Sequence, residues 1–353
     1  MKRRIHPGIA AALGAAALFG ATTPLAKLLL RMADPWLLAA LLYLGSGVGL
    51  WCLRTVRRAA PVRLPRGQWR WLAGAVLTGG LIAPVLLMTG LKAMPAAGAA
   101  LLLNAEGVFT ALLAWFVFGE NANRRVALGM LAIVSGALVL SWPAGGVAFA
   151  GLWPAAAVLG ACLGWALDNN LTRKVAFADA SWIAMVKGLI AGGTNLILAL
   201  GLGASWPGAL PALTAAAVGS LGYGASLGLF VVALRHLGSA RTGAYFSVAP
   251  FVGAVLALGL LGEPLTMRLI AAGVLMALGV WLHLTERHAH EHAHGALEHL
   301  HEHLHGAHDP HHDHVHPVPV PPGTRHTHQH RHAPVTHRHE HFPDAHHQHP
   351  HQA

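Results

Sequence analysis

Ten apolar runs, each about as long as a bilayer is thick, limit what this chain can fold into. They cover roughly 9–30, 36–53, 71–91, 96–118, 126–142, 152–172, 181–202, 212–234, 242–261 and 268–285. A helix rises about 1.5 Å per residue, so about twenty residues cross the ~30 Å of hydrocarbon. The runs are continuous rather than alternating, and a segment in lipid must satisfy its own backbone hydrogen bonds, so helices are expected. Hydrophobic residues make up 54% of the chain and charged residues only 11%, too few to cover a water-facing surface. Trp36, Trp51, Trp69, Trp71, Trp142, Trp153, Trp182, Trp206 and Trp281 stand near run ends, where an aromatic belt forms. Gly45/Gly49 and Ser220/Gly224/Gly228 put small residues at four-residue spacing, which lets helices approach closely. The expected fold is an all-α membrane protein with ten transmembrane helices.

One stretch occurs twice. Leu91-Lys92-Ala93 opens an apolar run that closes at Gly119-Glu120 and continues through Arg125 to Trp142. Leu234-Arg235-His236 opens a run containing Pro250 that closes at Gly262-Glu263-Pro264 and continues through Arg268 to Trp281. The offset is 143 residues, carrying Leu91 to Leu234, Glu120 to Glu263, Arg125 to Arg268 and Gly136 to Gly279. At this offset Glu106-Gly107 stands opposite Ala249-Pro250. The chain reads as two repeats, 1–146 and 147–287, followed by a distinct tail, 288–353. Five helices per repeat invert the second copy, the arrangement of many secondary transporters, whose substrate sites lie between the halves. A scaffold or receptor built by duplication is the alternative.

Lys2-Arg3-Arg4 before an apolar run also describes a secretory signal. The first run has a counterpart, however: Gly14, Phe19 and Lys27 fall on Gly160, Trp165 and Arg173 at a shift of 146, so retention is expected. Arg54, Arg57, Arg58, Arg63, Arg66, Arg70, Arg124, Arg125, Arg173, Lys174, Arg235 and Arg241 collect in loops on the side of the N-terminus. The positive-inside rule then puts both termini in the cytoplasm and the spans in the cytoplasmic membrane. The +10 net charge is mostly this loop charge and implies no nucleic-acid partner. Cys52 and Cys162 form no ligand spacing or disulfide framework.

The Phe19-Gly20…Pro24…Lys27 pattern, the Gly-Glu closing spans four and nine, and Pro250 thirteen residues before Glu263 resemble the EamA-type transporters of the drug/metabolite transporter superfamily. The resemblance covers roughly residues 8–285. It implies a ten-helix exporter of metabolites or amino acids without a nucleotide site. The first repeat departs from it: Gly107 stands where the second carries Pro250, and a carboxylate, Glu106, comes one position earlier.

Glu106 lies near the middle of span four, and a carboxylate there costs a few kcal/mol unless it faces a cavity or partner. It is a candidate proton or cation site, assisted by Asn104; the alternative is a paired carboxyl that holds helices together. Asp168 and Asn169 in span six and Lys187 in span seven complete the transport-site candidates, with an Asp168–Lys187 structural ion pair expected. Lys27 is expected to snorkel, and Glu120 and Glu263 to close helices.

Residues 288–353 hold 24 of the 27 histidines and almost no large apolar residue, so a disordered tail is expected. His288, His290, His292 and His294 alternate, as do His299, His301, His303 and His305; His311, His312, His314 and His316 follow. Imidazole suits nickel, cobalt, zinc and copper; the alternative is a pH-sensitive polyampholyte or passive buffer. The combined expectation is a proton-coupled exporter of a divalent transition metal, nickel or cobalt first, needing no cofactor for transport. The rivals are a metabolite exporter with an incidental tail, and a membrane-anchored metal sensor or store. No nucleophile–base pair stands within the spans, so an enzyme is not expected. The partners are the bilayer and a small-molecule or metal substrate, and a homodimer is left open.

Overall fold

The computed structural model describes residues 7–59, 61–62, 64–118, 124–141, 149–175, 179–284, 289–294, 297–304, 325–332 and 335–340. The first five apolar runs form α1 (Pro7–Leu29), α2 (Pro35–Val56), α3 (Trp69–Ala75) with α4 (Ala83–Ala93), α5 (Ala96–Leu102) with α6 (Ala105–Phe118), and α7 (Arg124–Ser141). The second five form α8 (Phe149–Thr172), α9 (Ala180–Gly201), α10 (Ala209–Gly219) with α11 (Ser226–Phe246), α12 (Ala249–Leu261) and α13 (Met267–Leu284). Residues 7–29, 35–56, 66–93, 96–117, 180–201 and 209–233 are long and apolar enough to cross a bilayer, and three further apolar helices are shorter. Phe116, Ile197, Leu210 and Met267 stay exposed on the outside, the surface that lipid covers, while Leu38, Leu42, Met88, Leu91, Leu102 and Val158 are fully buried. Among the described residues, 7–284 group as one unit and 289–340 as another.

Local chemistry fixes the helix ends. Asp34 and Asp179 cap α2 and α9, accepting from the backbone N–H of Trp36 and Trp182 at 2.9 Å each. Pro35 fits the first turn of α2, where no N–H is needed. At the other end of a helix, Gly262 takes φ 64°, the left-handed turn that stops α12.

The duplication is visible in matched interruptions. Val76–Ile82, between α3 and α4, is π-helical, and so is Ser220–Ala225, between α10 and α11. The fourth span breaks after Leu102 and restarts at Ala105; the ninth breaks after Phe246 and restarts at Ala249. This corrects the register read from the sequence. Ala105 matches Ala249 at an offset of 144, so Glu106 stands opposite Pro250 rather than one position earlier. Both residues suit a helix start: proline needs no N–H there, and a carboxylate meets the positive end of the dipole.

Residues 226–246 are helical throughout, yet the rings of Phe230 and Phe246 lie 5.0 Å apart. A straight helix would separate them by about 24 Å, so the chain reverses between spans eight and nine.

The helices pair across a pseudo-two-fold axis. On α7, a Cβ at Gly136 would fall 2.8 Å from Met276 and 3.0 Å from the Ala272 carbonyl of α13. A Cβ at Gly279 would fall 2.5 Å from the Gly129 carbonyl and 2.6 Å from Ile133. The 143-residue shift carries Gly129, Ile133 and Gly136 onto Ala272, Met276 and Gly279, so the two contacts are one contact seen from both repeats. The helices α2 and α9 pack in the same reciprocal way, Gly47 against Leu189 and Gly192 against Leu44. Gly45 and Gly49 receive Ala216 and Ser220. Ten transmembrane helices in two inverted five-helix repeats account for these relations.

The described residues of the tail form β1 (Ala289–His294) antiparallel to β4 (Val335–Glu340), and β2 (Leu297–Leu304) antiparallel to β3 (Arg325–His332). Composition argues against a packed core, but His-x-His alternation has the two-residue period of a strand. His288, His305, His311, His312, His314 and His316 lie outside the described residues, as do Gly119 and Glu120.

Candidate substrate cavity

The π-helical turn at Val76–Ile82 shifts the backbone ladder, and side chains take up the carbonyls it displaces. The Gly79 carbonyl accepts from the Tyr43 hydroxyl at 2.8 Å and from Trp165 Nε1 at 3.0 Å. Asn195, fully buried, donates to the Gly80 carbonyl at 3.3 Å and accepts from Trp36 Nε1 at 3.2 Å. Three helices, α2, α8 and α9, are thereby tied to one irregular turn in mid-span.

Beside that turn, Asp168 on α8 and Lys187 on α9 form an ion pair at 2.5 Å, with the ammonium on both carboxylate oxygens. Thr172, one turn further along α8, donates to Asp168 Oδ1 at 2.9 Å. A side chain at Gly79 would collide with the Asp168 carboxylate, so glycine there is what admits the acid. Thr22 occupies the equivalent place against Gly222 in the other half, 146 residues before Asp168.

Lys187 opens onto a cavity of about 440 Å³. Phe19, Tyr43, Tyr223, Phe230 and Phe246 form its aromatic wall, and Ser46, Ser226 and Thr172 add hydroxyls. The rings are packed on one another: Phe19 to Tyr223 at 5.8 Å, Tyr43 to Tyr223 at 5.6 Å, and Phe19 to Phe246 at 5.4 Å between centroids. The lining extends to Thr172 and Ala180, the facing ends of α8 and α9, so the cavity reaches the end of the bundle that carries this loop. Arg54 lies at that end, paired to Asp179 at 2.7 Å. Burial pushes the Asp179 carboxyl up, but hydrogen bonds from Ser181 and the Trp182 N–H, with the Arg54 charge, outweigh it and leave its pKa below the ordinary value.

Of the other candidates, Glu106 sits in the first turn of α6, and its Oε1 accepts from Asn169 Nδ2 at 2.8 Å. Asn169 follows Asp168 on α8, so the two acids are reached from adjacent residues of one helix. Asn104 is not part of that group. Its amide donates to the Leu101 carbonyl at 2.8 Å and lies 3.9 Å from Met276 Sδ, where it serves the break between α5 and α6. Two residues apart across that break, the side chains diverge. Among the described residues, no three His, Cys, Asp or Glu side chains stand close enough to hold a metal ion.

Lys27 does more than snorkel. Its ammonium donates to the carbonyls of Leu91, Lys92 and Met94 at 2.6, 3.1 and 2.8 Å, closing the C-terminal end of α4. Glu263 caps the next helix, accepting from the N–H groups of Ala96 and Ala97. The Gly-Glu motif thus has two parts, a left-handed glycine that ends α12 and an acid that starts α5 in the other repeat.

Tyr43, Tyr223, Ser46 and Thr172 were not singled out in the sequence, and Trp165 only as the repeat counterpart of Phe19. A signal existed, since Tyr43 and Tyr223 are two of only three tyrosines and lie inside apolar runs, where a hydroxyl needs a partner.

Comparison with known proteins agrees with this architecture. The chain is 29% identical over 284 residues to an uncharacterized transporter of Methanothermobacter thermautotrophicus, covering 75% of this chain and 82% of that protein. It is 34% identical over 113 residues to the probable 4-amino-4-deoxy-L-arabinose-phosphoundecaprenol flippase subunit ArnE of Pseudomonas fluorescens, covering 29% of this chain and 96% of that one. A protein of known crystal structure superposes with a TM-score of 0.59 at 21% identity, over 77% of this chain and 95% of the other, which speaks to the fold. The EamA-like transporter family matches residues 6–142 and 152–285, one match per repeat, and the chain is a membrane transporter of that family.

Proposed function

We propose that the chain is a secondary-active exporter of a small organic molecule with an aromatic or branched apolar body. The observation that carries this reading is the cavity of about 440 Å³, walled by five aromatic rings with one ammonium at its edge. That volume and lining suit a small organic ligand. By the positive-inside rule, the arginine-bearing loops support a cytoplasmic open end for the cavity and a cytoplasmic-membrane location with both termini inside. Glu106 and Asp168 supply carboxylates that a proton could use for coupling.

Export of a divalent transition metal, nickel or cobalt, is the second reading, and the tail supports it. The strand registers set His290 opposite His339, His292 opposite His337, and His299, His301 and His303 opposite His330, His328 and His326. Imidazole as a ligand type suits Ni²⁺, Co²⁺, Zn²⁺ or Cu²⁺.

The experiment is uptake into inside-out membrane vesicles under an inward-acid gradient. Labelled aromatic amino acids and their derivatives are compared with Ni²⁺ and Co²⁺, with and without residues 288–353. The organic reading expects an aromatic solute to accumulate, an uncoupler to abolish this, and Tyr223→Ala to reduce it. Movement of metal alone would replace it with the metal reading.

A further inference from the structure

The cavity presents its two charged neighbours unequally. Lys187 lines it, while Asp168 stands behind, buried beneath Gly79 and held by Thr172. Within the cavity, a solute therefore meets the Lys187 ammonium before the Asp168 carboxylate. Lysine carries three N–H donors, and the two oxygens of Asp168 take two of them, which leaves one for a ligand. That remaining N–H makes a stronger hydrogen bond to an anionic acceptor than to a neutral one, and none to a cation. The opposite wall is aromatic, so the apolar body of the solute has a place to lie once its charged end is fixed.

Resting on the organic-solute reading above, we infer that the transported molecule carries a carboxylate and that Lys187 receives it. Asp168 is then a positioning residue. It holds the ammonium extended toward the cavity and keeps the empty site neutral, which spares the bundle an uncompensated buried charge. Tyr43 and Tyr223 border the same space and bear on the aromatic end of the solute. The inference concerns substrate chemistry and leaves the coupling ion aside.

Three probes with one aromatic body test it: N-acetylphenylalanine, an anion; its amide, neutral; and 2-phenylethylamine, a cation. Equilibrium binding to the full-length protein in nanodiscs is read as Kd. One charge-assisted hydrogen bond is worth about tenfold, so the anion should bind about tenfold tighter than the neutral amide and tighter still than the cation. In the Lys187→Met/Asp168→Asn double variant, which removes both charges together, that preference should shrink to within about twofold. Lys187→Arg should retain it, since the donor stays cationic. Equal or tighter binding of the amide or the cation by the unaltered protein overturns the inference without any variant having to fold. So does a well-folded double variant that keeps the tenfold preference. Binding of none of the three overturns the organic-solute reading as well, whereas binding without preference overturns only the carboxylate.

Discussion

Glu263 reaches from the loop after α12 to Ala96 at the start of α5, and its carboxylate accepts that backbone N–H at 2.6 Å and the N–H of Ala97 at 2.8 Å. The two residues belong to different repeats, so a helix of the first half is begun by a side chain of the second. Lys27 closes the preceding helix, α4, a few residues away. Together they pin the 91–97 hairpin, at the end of α1 opposite the Gly14 and Leu229 contact.

Replacing the capping acid should therefore loosen the joint between repeats. Glu263→Ala is expected to lose about 1–2 kcal/mol, the usual worth of an N-cap acting on a helix dipole, with Glu263→Gln intermediate. Unfolding midpoints in nanodiscs measure this, and an unchanged midpoint in Glu263→Ala would show that the cap contributes nothing.

Glu106→Gln keeps an acceptor for Asn169 but removes the charge at the start of α6. Transport should fall at least about tenfold while the protein reaches the membrane in normal amount, because a proton or cation site needs the ionisable group. Normal transport by a normally abundant variant would return Glu106 to a purely structural role.

Gly279→Ala and Gly259→Ala should have opposite effects. At Gly279 the new methyl meets the Gly129 backbone, and a loss of about 1–3 kcal/mol is expected from overpacking the α7–α13 seam. Nothing lies within 4 Å of a Cβ at Gly259, where alanine should gain up to about 1 kcal/mol from helix propensity. Equal shifts in the two variants would argue against the packing shown.

The Asp179 cap gives a pH dependence of known sign. Its folded pKa lies below the unfolded carboxyl value, so its contribution is present above the unfolded value and is lost as pH falls through the folded one. Asp179 is partly exposed and the effect is small. The midpoint difference between the unaltered protein and Asp179→Asn should accordingly be largest at neutral pH and vanish in strong acid. A difference that grows in acid would reverse the assignment.

The ten spans, the duplication and the family resemblance were legible in the chain alone, for the same reason in each case. Run length is set by bilayer thickness, and a repeat preserves its spacing even where its letters change. The Asp168–Lys187 pairing could be proposed because opposite charges at similar depth in neighbouring spans have few other partners. What the sequence could not show was where helices are interrupted. The break before Glu106 falls in an apolar stretch without proline, and the π-helical turns at Val76–Ile82 and Ser220–Ala225 lie in ordinary-looking Gly-containing runs. These interruptions are held by contacts with distant residues, such as Tyr43 and Trp165 on Gly79 and Asn195 on Gly80. Only tertiary packing could separate Asn104 from Glu106, turn Lys27 into a helix cap, and gather Phe19, Tyr223 and Phe246 from three segments into one wall. The membrane dictates how long each helix must be, but which carbonyls stay free inside it depends on side chains far away in the sequence.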